Sequence, residues 1–208
     1  MIAAVVFDFG GVVVEWNMRA LFREFLEGDE LDRFLADVLT PADNLRCDLG
    51  TPLAQVVDEV TARHPHYEVP LAAWRDRWIE TIPGPIPGTE RLIGDLRTAG
   101  YRILGLSNFS AETFPLCRER YPVFEQFDDI VISGEAGVAK PDPRIYQLLL
   151  DRNSLRPDQA VFLDDSPTNV NGAIAVGMAA FGFTTAEQAA VDLRSVGVEL
   201  LPGSATAR

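Results

Sequence analysis

Apolar and polar positions follow two rhythms along this chain. Ile2-Ala3-Ala4-Val5-Val6-Phe7 is an unbroken β-rich run that stops at Asp8, the pattern of a strand buried on both faces of a parallel sheet. Gly10 and Gly11 permit a tight turn, Val12 to Glu15 reads as a short extended flap, and Asn17 is placed to cap a helix from about Met18. The rhythm then becomes helical. Leu21, Phe22, Phe25 and Leu26 form one apolar face, Leu31, Phe34, Leu35 and Val38 a second, Leu53, Val56, Val57 and Val60 a third, and Trp74, Trp78 and Ile79 a fourth.

From Ile82 to Gly88 the chain reads Ile-Pro-Gly-Pro-Ile-Pro-Gly, a stretch that ends helices and stiffens connectors, so a hinge is expected there. Strands and helices alternate beyond it. Strands are predicted at Tyr101 to Leu106, Ile130 to Ser133, Ala160 to Leu163 and Ala179 to Phe183. Helices are predicted from Thr89 to Thr98, after Ser110, from Pro143 to Asp151 and from Asn169 to Val176, and the tail from Gly203 should fray. This is the order of an α/β fold, a doubly wound parallel sheet of Rossmann-like form. Residues 16–82 would be an all-helical insertion after the first strand, and residues 1–15 and 83–208 the core.

Charge narrows the function classes. The 208 residues carry 18 basic and 31 acidic side chains, a net charge of −13. With no basic tract, binding to nucleic acid or an anionic membrane by bulk electrostatics is excluded, and no segment has the roughly 20 apolar residues of a membrane span. Cys47 and Cys117 form neither a disulfide framework nor a zinc cluster, so a reduced, cytoplasmic protein is expected. Monomer and homodimer both remain open.

Ligands of open α/β sheets bind at the carboxyl ends of the strands. Asp8, Ser107 with Asn108, and Asp164 with Asp165 all fall there, and Lys140 lies in the loop after the third strand. Three carboxylates converging on one edge repel one another unless a cation sits among them, and oxygen ligands favour a hard ion such as Mg²⁺.

Phe7-Asp8-Phe9-Gly10-Gly11-Val12, Leu106-Ser107-Asn108, Val138-Ala139-Lys140-Pro141-Asp142-Pro143 and Phe162-Leu163-Asp164-Asp165-Ser166 resemble, in order and spacing, the four motifs of the haloacid dehalogenase (HAD) superfamily. The helical insertion resembles the small C1-type cap of its subfamily IA. The resemblance implies a Mg²⁺-dependent phosphatase of small phosphorylated metabolites, with a sugar phosphate as the leading substrate. Asp8 would be the nucleophile that forms an aspartyl-phosphate, Ser107 and Asn108 would hold phosphoryl oxygens, and Lys140 would neutralise charge. The metal would lie between Asp8, the carbonyl of Gly10 and Asp165, with Asp164 reaching it through water.

One position departs from the phosphatase pattern. Most superfamily phosphatases have a second Asp, the general acid and base, where this chain has Gly10. Its loss implies a preference for aryl or anomeric sugar phosphates, whose leaving groups need little protonation. The departure also admits two other readings. One is a metal-independent 2-haloacid dehalogenase, which needs no proton donor; the other is a pseudophosphatase that only binds a phospho-ligand or partner.

Taken singly, other residues read as structure. Asp142 starts a helix, His64 and His66 are exposed loop residues, Trp74 and Trp78 pack the insertion's core with one of them open to lining the substrate pocket, and Arg19, Arg23 and Arg46 are surface charges, one of them open to binding a distal anionic group. Trp16 beside the flap is the aromatic best placed to touch substrate.

Overall fold

The computed structural model describes residues 1–200, so the expected fraying of the tail lies outside the described residues. Five strands, β1 (Ala4–Phe7), β2 (Arg102–Ser107), β3 (Asp129–Ile132), β4 (Ala160–Asp164) and β5 (Ala179–Gly182), form one parallel sheet in the order β3-β2-β1-β4-β5. β1 is central, and alternate residues feed two cores. Val5 and Phe7 join one apolar cluster with Ile103, Val161 and Leu163; Ala4 and Val6 join the other with Leu104, Phe162 and the helix Pro143–Arg152. Burial on both faces is why the run from Ile2 to Phe7 contains no polar residue.

Between β1 and the Ile82–Gly88 connector the regular elements are helices: α1 (Met18–Phe22), α2 (Gly28–Arg33), α3 (Pro41–Asp48), α4 (Leu53–Arg63) and α5 (Glu68–Asp76). Its apolar faces, with Phe22, Phe34, Val56, Leu71 and Trp74, continue the cluster on one side of the sheet. The two connectors run side by side. Val14 pairs with Pro85, Glu15 N–H donates to the Gly84 carbonyl (2.8 Å), and Ile86 N–H donates to Val13 (2.9 Å).

Local details differ from expectation. The predicted face through Phe34 and Val38 is α2 followed by a π-helical turn at Phe34–Val38. Asn17 precedes α1 without a side-chain capping bond. The segment from Val12 to Glu15 is no extended flap, because Val12, Val13 and Val14 all donate to the Phe9 carbonyl (3.2, 2.8 and 3.0 Å) and curl the backbone. Trp78 sits on a separate 3-10 turn, Trp78–Thr81. β3 ends one residue early, where Ser133 opens α8 (Ser133–Ala136). The remaining helices are α6 (Thr89–Thr98), α7 (Phe114–Arg120), α9 (Pro143–Arg152), α10 (Pro167–Ala175) and α11 (Ala186–Ser195).

Candidate active site

The carboxyl ends of β1, β2 and β4 bring the motif residues together around Asp8, whose own N–H extends the ladder to Leu163 (2.9 Å). Phe9 anchors the turn that follows. Its ring is fully buried, lying 4.8 Å from Phe124 and stacked on Phe114 at 5.5 Å. A Cβ at Gly105 would strike that ring at 2.5 Å, so the glycine in β2 makes room for it. A buried aromatic directly after the carboxylate fixes the backbone that aims it.

Asp8 Oδ1 accepts three hydrogen bonds: from Phe9 N–H (2.7 Å), Ser107 Oγ (2.7 Å) and Lys140 Nζ (2.8 Å). Among the described residues no donor reaches Oδ2. One oxygen of the pair is therefore held and the other is left without a donor, and Asp8 lines a cavity of about 250 Å³. Ser107 thus orients the carboxylate directly, a contact the motif alone did not specify.

Lys140 is almost wholly buried. Its ammonium also donates to Asp164 Oδ2 (2.6 Å) and the Leu106 carbonyl (3.0 Å), which uses its three protons. Asp164 is fully buried and its oxygens are taken. Oδ1 accepts from Ser166 N–H (2.8 Å) and Asn169 Nδ2 (3.1 Å), and Oδ2 accepts from Lys140 and, at 3.1 Å, from Asn169. Burial and the Asp8 charge push the Asp164 carboxyl up, while Lys140 pulls it back. Asp164 thus also orients Lys140, a contact the motifs alone did not specify. Asn108, expected to hold phosphoryl oxygens, lines the same cavity. Its amide is occupied on both sides by the backbone of Lys140, with Oδ1 accepting from N–H (2.8 Å) and Nδ2 donating to C=O (3.0 Å). The side chain ties the lysine loop to the end of β2.

Asp8, Asp164 and Asp165 each offer an oxygen within 4.8 Å of the others. Against them stands the single ammonium of Lys140, so the cluster carries two surplus negative charges, the charge of one divalent cation. The local backbone accommodates such an ion. Gly11 has φ +72°, and a Cβ there would fall 2.4 Å from Asp165 Oδ2. Only glycine lets that carboxylate come so close. The Gly10 carbonyl accepts none of the backbone bonds of this loop among the described residues. Oxygen donors, surplus charge and a space kept clear of side chain together fit Mg²⁺.

The rest of the cavity is aromatic on one side and polar on another. Trp16, exposed at 38%, lies 5.7 Å from Trp78, which is 5.5 Å from Phe109; all three line the cavity. Trp74 and Trp78 are both buried in the core cluster, as expected, and Trp78 also lines the cavity. Asn44, Asp48 and Asn169 supply polar lining. None of these three was legible beforehand. The one available sign was that Asp48 ends a helix, where the dipole disfavours a carboxylate.

Residues read as structural remain so. Asp142 caps α9 by accepting from Arg144 N–H (2.9 Å), and Arg19 and Arg46 pair with Asp32 and Glu59, both at 2.6 Å. Burial pushes both cysteine thiols up to about 12, so neither is a reactive thiolate. His66 is exposed, as expected, whereas His64 is half-buried; neither joins the acidic cluster. No described helix is long and apolar enough to cross a membrane.

Known proteins resemble this chain over much of its length. Residues 2–177 match the family model of haloacid dehalogenase-like hydrolases. Acyl-CoA dehydrogenase family member 10 of Mus musculus is 28% identical over 93% of this chain, which spans only 19% of that protein. The sesquiterpene phosphatase astK of Aspergillus oryzae is 24% identical, covering 93% of this chain and 95% of its own. Two (S)-2-haloacid dehalogenases also match, each over 48% of this chain. A HAD family enzyme from Bacteroides thetaiotaomicron, solved with magnesium and inorganic phosphate, superposes with a TM-score of 0.67 at 19% identity, covering 89% of this chain and 96% of its own. With its four motifs gathered at one sheet edge and the family model spanning most of its length, the chain belongs to the haloacid dehalogenase-like hydrolases.

Proposed function

We propose that this protein is a Mg²⁺-dependent phosphatase of a small phosphomonoester, with residues 16–82 serving as the cap that selects it. The observation that carries the reading is the acidic cluster, in which three carboxylates face one lysine. Halide displacement has no use for that surplus charge; phosphate binding requires a cation to neutralise it. The missing acid at Gly10 favours the dehalogenase reading, and the Asp164-Asp165 pair outweighs it. The aromatic side of the cavity suits the C–H face of a sugar, and Asn44 and Asn169 suit its hydroxyls, so a sugar phosphate remains the leading substrate. Two buried free thiols accord with a cytoplasmic location.

Asp8, Asp165 and the Gly10 carbonyl would hold the ion, with Asp164 close behind. When bound, Mg²⁺ supplies positive charge to the phosphoryl oxygens. Asp8 attacks phosphorus through the oxygen that its three donors leave open. Lys140, fixed by Asp164 and by Asn108, offsets charge on the nucleophile. The trans-ester step leaves the phosphoryl group on Asp8, and water releases it.

Two measurements check this. Acid-quenched turnover of an aryl phosphate, followed by peptide mass analysis, should find a phosphoryl group on Asp8; a peptide that stays unmodified during steady turnover would reject the covalent route. Gly11→Ala should raise the Mg²⁺ concentration needed for half-maximal activity by roughly 10-fold or more, since it displaces a ligand. Gly28→Ala is the control for positive φ alone, because it meets nothing within 4 Å. Equal effects in the two variants would remove Asp165 from the ion site.

A further inference from the structure

Gly10 leaves the first motif without an acid, and the space a side chain would use there is already faced by Trp16, whose Cβ lies 3.3 Å from a Cβ built on Gly10. Another part of the cavity wall carries a carboxylate that none of the four motifs contains. Asp48, the last residue of α3, lines the cavity together with Asp8 and is half-buried. Its Oδ2 accepts from Asn44 Nδ2 (2.9 Å).

The backbone of Asp48 is tied down as well. Its carbonyl accepts from Ser133 Oγ (2.5 Å), which in turn accepts from Phe109 N–H (2.9 Å) in the loop after β2. The other end of α3 is fixed by a reciprocal cap between Thr40 and Asp43. A helix of the insertion thus delivers a carboxylate into the site and holds it against the loop that follows Ser107. Burial, and then the charge of Asp8, pushes that carboxyl up to about 7, the range in which a group both gives and takes a proton near neutrality.

We propose that Asp48 is the general acid and base of this site, supplied by the helical insertion in place of a second acidic residue in the first motif. The proposal rests on the phosphatase reading above. In the first step an Asp8 oxygen bonds to phosphorus and the bond from phosphorus to the ester oxygen breaks. The electron pair stays on that oxygen, which takes the proton of the Asp48 carboxyl and leaves as an alcohol. In the second, Asp48 carboxylate takes a proton from water as the water oxygen bonds to phosphorus. The bond to Asp8 then breaks, which returns the Asp8 carboxylate, inorganic phosphate and a protonated Asp48.

The test is the dependence of kcat/KM on the leaving group across dinitrophenyl, phenyl and glycerol phosphates, for the wild type, Asp48→Asn and Asp48→Glu. This ratio reports the chain of steps up to departure of the alcohol. Asp48→Asn keeps the shape and an accepting oxygen but cannot transfer the proton. Its loss should grow from a few-fold on dinitrophenyl phosphate to roughly 10²–10³-fold on glycerol phosphate. Its kcat on dinitrophenyl phosphate should fall as well, with an initial burst of phenolate, because hydrolysis of the aspartyl-phosphate has lost its base. Asp48→Glu, which retains the acid, should recover part of the glycerol phosphate rate. A purely structural role gives the opposite order, with the isosteric Asn mild and the longer Glu disruptive on every substrate. That order, or an unchanged leaving-group dependence in Asp48→Asn, would overturn the proposal. Failure of the wild type on all three esters would instead overturn the phosphatase reading beneath it.

Discussion

Asp8→Asn should lose about 10⁴-fold or more in turnover while remaining folded, because an amide oxygen accepts hydrogen bonds but does not displace an ester oxygen at phosphorus. The geometry makes this a clean test. The oxygen held by Phe9 N–H, Ser107 and Lys140 has a counterpart in asparagine, and Lys140 keeps its 2.6 Å contact with Asp164. Neither packing nor the buried ammonium is left without a partner, so lost activity reports chemistry and not collapse. Rate measurements beside a thermal melt decide the matter. A variant that still turns over at the wild-type rate would move the nucleophile elsewhere, and a wild type with no turnover would favour the phospho-ligand-binding reading.

Much of the fold was legible because the polar residues that end its strands stand out against apolar runs. Asp8 ends the run of β1, Ser107 lies at the end of β2 and Asp164 at the end of β4. The same contrast marked the catalytic edge, since a buried strand tolerates no carboxylate except where its end meets the site. Side-chain partnerships were less legible. The bonds from the Asn108 amide to the lysine loop of another motif were not foreseen. Nor was the bond between Asp164 and the Lys140 ammonium. Both are pairings across distant segments, which strand and helix periodicity does not encode. Asp48 lies further from view: its neighbours in sequence mark only a helix end, and its character arises from burial and from the charge of Asp8, both created by folding. The π-helical turn at Phe34–Val38 escaped for a different reason, because α and π spacing place nearly the same residues on one apolar face.

Removal of the divalent cation should have the second largest effect. The cluster of Asp8, Asp164 and Asp165 repels a phosphate dianion, and Lys140 alone offsets one of its three charges. Charge stabilisation by a bound metal amounts to several kcal/mol, so its loss should slow phosphate release by about 10³-fold or more. Burial raises the Asp165 carboxyl, and Asp8 adds to the rise while Lys140 opposes it, so acid should weaken the metal site by protonating a ligand.

The most direct measurement follows both products on one preparation: inorganic phosphate from a sugar phosphate and chloride from 2-chloropropionate, first with chelator and then with Mg²⁺ restored. The account expects phosphate release that disappears with chelator and returns with Mg²⁺, and no chloride under either condition. Chloride release that persists in chelator, without phosphate release in Mg²⁺, would contradict it and identify the protein as a dehalogenase.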